Sequence, residues 1–114
     1  MSAITTHVLD TCTGRPAVGV PILLEEGAGP EGWRTIGRGE TDGDGRARDL
    51  MPAGTTLSPG LYRLRFDTRD YFAAQGVLSF YPEVIIVFEA ASGELHYHVP
   101  LLLSPFGYST YRGS

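Results

Sequence analysis

Three histidines are the residues of this chain best suited to move a proton at neutral pH, because imidazole alone has an ordinary pKa near that value. His96 and His98 stand two apart in "LHYHVPLLL", so on a strand they share one face. His7 lies near the other end of the chain in "ITTHVLD". With Ile4 and Val8 turned toward a core, alternation turns His7 away from it. His-x-His on a strand plus one distant histidine is also the ligand set of a three-histidine zinc site with a fourth position for water. A strand with merely exposed or hydrogen-bonded histidines has the same pattern, so residue types alone leave all three readings open.

Arginine is the second reagent. All nine basic residues are arginine, and the absence of lysine excludes Schiff-base and lysine-nucleophile chemistry. In "ETDGDGRARDL", Glu40, Asp42, Asp44 and Gly45 fit positions 1, 3, 5 and 6 of a calcium loop. Position 12, which should be a bidentate glutamate, is Met51, and no helical periodicity flanks the stretch. It is instead a tight hairpin turn, with Gly43 and Gly45 supplying positive φ. That turn delivers Arg46 to the start of a strand, at a rim where a guanidinium can reach a ligand.

The tail "YSTYRGS" continues a strand pattern to Ser114 and lacks the composition of a disordered end. Alternation puts Tyr108, Thr110, Arg112 and Ser114 on one face and Ser109 and Tyr111 on the other. Arginine carries a planar fork of donors suited to carboxylates and amide edges.

These residues must be positioned by short strands, because 15 glycines and eight prolines chop the 114-residue chain into pieces. Strands are predicted over 4–10, 20–26, 33–40, 61–68, 83–90, 95–103 and 107–113, with a short return strand over 46–50 and one helix over 69–76. The segment 83–90 reads as buried on both faces. The set predicts one domain, residues 1–114, built as an antiparallel β-sandwich. Pro100 cannot donate to a ladder and is expected on an edge or at a bulge. An apolar edge strand is a liability for a monomer, so an oligomer is expected.

Composition narrows the partners. The net charge of −4 argues against nucleic acid. No apolar run approaches the roughly 20 residues of a membrane-spanning helix, and the first residues lack the features of a signal peptide, which predicts a cytoplasmic protein. The single Cys12 has no partner for an internal disulfide and no acid–histidine pair beside it to activate a thiol.

"ITTHVLDTCTGRPA", "TDGDGR", "FYPEV" and "HVPLLLSPFGYSTYRGS" together resemble the transthyretin-related 5-hydroxyisourate hydrolases over essentially the whole chain. The most specific element is the terminal Tyr111-Arg112-Gly113-Ser114, which distinguishes those hydrolases from transthyretin itself. The resemblance implies an all-β, transthyretin-like (prealbumin-like) sandwich of two four-stranded sheets with one short helix. It implies a homotetramer with sites at the dimer–dimer interface, and hydrolysis of 5-hydroxyisourate to 2-oxo-4-hydroxy-4-carboxy-5-ureidoimidazoline without cofactor or metal. Carried over by motif, His7, Arg46 and His98 are catalytic, with Arg48 a neighbouring competitor to Arg46 and His96 incidental. Tyr111, Arg112, Gly113 and Ser114 bind substrate. The rival reading is a non-catalytic carrier of a small aromatic ligand on the same fold, which would not need the two histidines, Arg46 or the "YRGS" end.

Overall fold

Alternation with a period of two builds most of the structure. In β1 (Ile4–Asp10), Ile4, Thr6, Val8 and Asp10 are buried in the interior, while His7 and Leu9 stay partly exposed between them. The computed structural model describes residues 2–114. The remaining elements are β2 (Arg15–Pro16), β3 (Pro21–Gly27), β4 (Trp33–Glu40), β5 (Arg46–Ala47), β6 (Gly60–Phe66), α1 (Thr68–Ala73), β7 (Val84–Ala90), β8 (Tyr97–Ser104) and β9 (Gly107–Thr110), with one 3-10 turn over Gly29–Glu31.

The strands form two sheets. One has the order β4-β3-β6-β7, all antiparallel. The other has the order β2-β1-β8-β9, with β5 also on β1. The two-residue strands β2 and β5 share one edge of β1: β2 pairs at Leu9 and Asp10, β5 at Thr6 and His7. Together they fill the fourth place of that sheet. Phe66, Leu24, Leu64, Ile4, Leu101, Leu103 and Val8 are fully buried between the sheets. Among the described residues no helix is long and apolar enough to cross a membrane.

Five expectations are corrected. The sandwich is not wholly antiparallel: β1 and β8 pair in parallel from Ile4↔Tyr97 to Asp10↔Leu103. They come from opposite ends of the chain, so no hairpin dictates their direction. β7 is not buried on both faces. Val84, Ile86 and Ala90 face the core, whereas Ile85 is 39% and Val87 53% exposed, because β7 ends its sheet and no third layer covers the outer side.

Pro100 lies in a central strand rather than on an edge. Its carbonyl accepts a hydrogen bond from the Thr110 hydroxyl, so its nitrogen also faces β9. There the β8–β9 ladder ends at Leu101↔Thr110 and resumes only as the single bridge His98↔Gly113. The missing N–H falls in that gap. The strand expected over 107–113 therefore stops at Thr110, and the predicted return strand 46–50 is likewise ordered only at Arg46–Ala47.

The helix is anchored to β1 by a buried carboxylate. Asp10 is 2% exposed. Its Oδ2 accepts from the Tyr71 hydroxyl at 2.7 Å, and its Oδ1 accepts from the amides of Cys12 at 2.9 Å and Thr13 at 3.3 Å. Removing it leaves the Tyr71 hydroxyl without an acceptor. An orphaned buried polar group costs about 1–3 kcal/mol. Asp10→Ala is expected to lose about 2–3 kcal/mol in urea unfolding and Tyr71→Phe about 1 kcal/mol. A D10A variant as stable as the parent would show that this contact does not hold the helix.

Candidate active site

The outward face of the β2-β1-β8-β9 sheet collects the three residues singled out for catalysis. His7 is directly opposite Arg46 in the β1–β5 pairing, and directly opposed side chains on one face lie roughly 5 Å apart at Cβ. On the other side of β1, Thr5 pairs with His98 and His7 with Pro100. His98 therefore sits one diagonal step from His7 on the same face, within reach of a shared small molecule. All three side chains are half-buried.

The turn before β5 places Arg46. Asp42 Oδ1 accepts from the amides of Asp44 at 2.9 Å and Arg46 at 3.0 Å, and these bonds hold the Asp42 carboxyl below its usual pKa. Gly45 has φ of 76°, and a Cβ there would lie 2.6 Å from the Val8 carbonyl oxygen. Its own carbonyl accepts from the Val8 amide at 2.8 Å. Only glycine lets this turn close onto β1. Gly43, also expected at positive φ, does not adopt it.

His98 has the most constrained setting. Its Nδ1 is 2.9 Å from Thr5 Oγ1. Gly113 donates its amide hydrogen to the His98 carbonyl at 2.9 Å, and a Cβ on Gly113 would lie 2.6 Å from His98 Cδ2. The glycine of the tail is thus a steric requirement: the backbone passes against the imidazole edge. Burial, then the Arg46 cation, His96 and His7, push the His98 pKa below its ordinary value. At neutral pH the ring is therefore uncharged and keeps a lone pair.

The tail divides. Gly113 touches His98, and Tyr111 and Ser114 are exposed. Arg112 stands with its guanidinium carbon 5.0 Å from the centre of the Tyr97 ring and its Nη2 3.5 Å from Glu94 Oε1. Tyr97 faces the core, so within one protomer Arg112 lies across the sheet from His98. Sequence reasoning missed Thr5. Its signal was available only in the register, which sets it opposite His98. His96, read as incidental, shares the same hydroxyl, with Nε2 3.1 Å from Thr5 Oγ1. Among the described residues no three His, Cys, Asp or Glu side chains group so as to hold a metal ion. Clefts of about 660, 390 and 370 Å3 elsewhere on the protomer include neither His7, Arg46 nor His98.

This arrangement can hold a polar ring against a cation while a neutral imidazole takes a proton from water. The family model described as "Transthyretin: HIUase/Transthyretin family" matches residues 4–113. A 5-hydroxyisourate hydrolase of Salmonella typhimurium is 45% identical over 111 residues, 97% of this chain and 80% of that protein. The solved 5-hydroxyisourate hydrolase of Klebsiella pneumoniae superposes with a TM-score of 0.86 at 37% identity, covering 100% of both chains. Sea bream transthyretin, solved with thyroxine, superposes with a TM-score of 0.90 at 34% identity, covering 97% of this chain and 94% of that one.

The lowered His98 pKa has a signed consequence. As pH falls, the unfolded chain binds the proton first, so the fold loses stability from the ordinary histidine pKa of about 6.5 down to the lower folded value, and the loss is constant below both. An NMR titration of the imidazoles is expected to place the His98 midpoint below about 6.5. A midpoint at or above that value would contradict the assigned environment.

Proposed function

Since this chain belongs to the HIUase/Transthyretin family, we propose that it hydrolyses 5-hydroxyisourate to 2-oxo-4-hydroxy-4-carboxy-5-ureidoimidazoline in urate degradation. The observation that carries this reading is the meeting of His7, Arg46 and His98, from three strands, on one outward sheet face.

The reaction opens a six-membered ring. Water oxygen bonds to a ring carbonyl carbon, its proton passes to an imidazole, and the carbonyl becomes an oxyanion. The oxyanion then collapses, the C–N bond breaks, and the imidazolium returns the proton to the leaving nitrogen. His98, uncharged at neutral pH, is the base. His7 holds the water or substrate beside it. Arg46 opposes the negative charge that develops on oxygen. Positioned proton transfer contributes about 10²–10⁴-fold. No step here requires a cofactor.

The site is completed in a homotetramer, where the histidine faces of two dimers meet. Three observations support this. His7, Arg46 and His98 are only half-buried in one protomer, and Leu9 and Leu102 extend the same face along the strands, also half-buried. Both sheets end on an edge strand, β9 and β7, available for edge-to-edge pairing. Tyr111 and Ser114 are exposed next to Gly113, which already touches His98, so a facing protomer could fix them around the substrate. Arg112, held by Glu94 and Tyr97, would reach substrate only by leaving those contacts or by serving a neighbouring site.

A carrier of a small aromatic ligand is the second reading, favoured by the backbone likeness to thyroxine-bound sea bream transthyretin. A carrier has no use for a neutral, clamped imidazole beside a guanidinium. The test follows the ultraviolet absorbance of 5-hydroxyisourate formed by urate oxidation. The parent protein is expected to speed its decay. His98→Asn, folded and assembled, is expected to lose about 10²–10⁴-fold in turnover, and deletion of residues 111–114 to abolish hydrolysis without unfolding the sandwich. Decay unaffected by the parent protein would select the carrier; full turnover in either variant would remove His98 or the tail from the mechanism.

A further inference from the structure

Thr5 points outward from β1, yet it is only 4% exposed. Two imidazoles cover it. Its Oγ1 lies 2.9 Å from His98 Nδ1 and 3.1 Å from His96 Nε2. A threonine hydroxyl has one proton to give and two lone pairs to receive. It can donate to only one of the two rings, so at least one ring must donate to it.

Three arrangements satisfy this count. Thr5 can donate to His98 and receive from His96; His98 is then the Nε2–H tautomer, with no lone pair at its free end. Both rings can donate to Thr5; the hydroxyl proton then has no acceptor in a buried position, which is costly. Or His98 donates from Nδ1, and Thr5 passes its own proton to His96 Nε2. Only the third satisfies every group and leaves a lone pair on His98 Nε2.

The ring's setting points the same way. Nδ1 and Cδ2 flank the attachment point of the imidazole. Thr5 holds the first, and the Gly113 backbone is packed against the second. Both near flanks are occupied, so the far end, Cε1 and Nε2, is the part of the ring left to meet a substrate. A base acting on water must therefore act through Nε2.

We propose that Thr5 and His96 are positioning residues for His98, forming a chain in which His98 Nδ1–H donates to Thr5 Oγ1 and Thr5 O–H donates to His96 Nε2. The chain holds His98 in the tautomer whose Nε2 takes the proton from water, and it rests on the reading of His98 as the base. Histidine pairs with an orienting partner behind it wherever one specified nitrogen must react. Here the partner is a neutral hydroxyl, backed in turn by a second imidazole. His7 on β1, Arg46 beside β1 on β5, and His96 before β8 are the charged or titratable groups that bear on His98.

The test is a nitrogen–proton correlation spectrum of the histidine rings in the intact protein, above the His98 titration. His98 is expected to show a protonated Nδ1 and an unprotonated Nε2. Thr5→Val, which keeps the shape and removes the hydroxyl, is expected to shift His98 toward Nε2–H. It should lower kcat about 10–100-fold, the range typical of losing the bond behind a functional imidazole, with KM within about twofold and the pH profile of kcat displaced. Thr5→Ser should keep the parental tautomer and most of kcat. His96→Leu, at an exposed site, leaves Thr5 without its acceptor and should shift the tautomer the same way as Thr5→Val. A parental His98 found as Nε2–H, or a Thr5→Val protein with parental kcat and tautomer, would overturn the proposal. A parental tautomer in His96→Leu would overturn the part assigned to His96. Should His98→Asn keep full turnover while the parental tautomer is as expected, it is the reading of His98 as base that fails, and the hydrogen-bond chain stands.

Discussion

The parallel pairing of β1 with β8 is the constraint on which the site depends. Seven consecutive pairs, Ile4↔Tyr97 to Asp10↔Leu103, join the beginning of the chain to its end. Parallel strands need a long crossover, and here most of the chain supplies it, including the whole of the second sheet. Closing so long a loop costs only slightly more than closing a shorter one, because the entropy grows with the logarithm of its length. What the pairing achieves is chemical: it brings His7 beside His98 and sets Thr5 directly opposite His98. A one-residue slip of β8 against β1 would turn His98 to the face opposite His7 and Thr5.

Around that pairing, local features adjust single groups. Gly45 lets the turn close onto Val8 and leaves Arg46 opposite His7. Pro100 breaks the β8–β9 ladder just where the tail leaves the strand, and the bridge at His98↔Gly113 recaptures it. The absence of a side chain at Gly113 then lets the tail backbone lie against the imidazole. The tail's order is therefore tied to the same ring that would do the chemistry. This is how the proposed site residues of the tail can be held in place, where polypeptides often fray. In the proposed assembly, excluding water from the reaction would fall to a facing copy.

Much of this was legible in the sequence, residue by residue. Alternation in "ITTHVLD" pointed His7 away from the core, and the Gly and Asp pattern of "TDGDGR" marked the turn that presents Arg46. Strand spacing pointed to a sandwich and family resemblance to its two four-stranded sheets, whereas the strand order came only from the structure. The parallel direction of β1 and β8 was not legible, because nothing local encodes a pairing between segments so far apart. The exposed Ile85 and Val87 misled because apolar composition reports what a strand could bury, not whether a layer exists to bury it. Thr5 was invisible for a related reason: a threonine on a strand is unremarkable until register places it between two imidazoles. For Arg112, alternation held: Leu101↔Thr110 and His98↔Gly113 keep one register across Pro100, so Arg112 shares the face of Tyr97, and it was the tail motif, not the strand pattern, that assigned it to substrate.

The most direct test is a crystal structure of the assembled protein with a stable purine-derived analogue of 5-hydroxyisourate. The account predicts the analogue at a seam between protomers, within hydrogen-bonding reach of His7, Arg46 and the Nε2 of His98. An analogue bound elsewhere, such as in the cleft lined by Arg38, Arg65 and Arg69, with the histidine face empty, would contradict it.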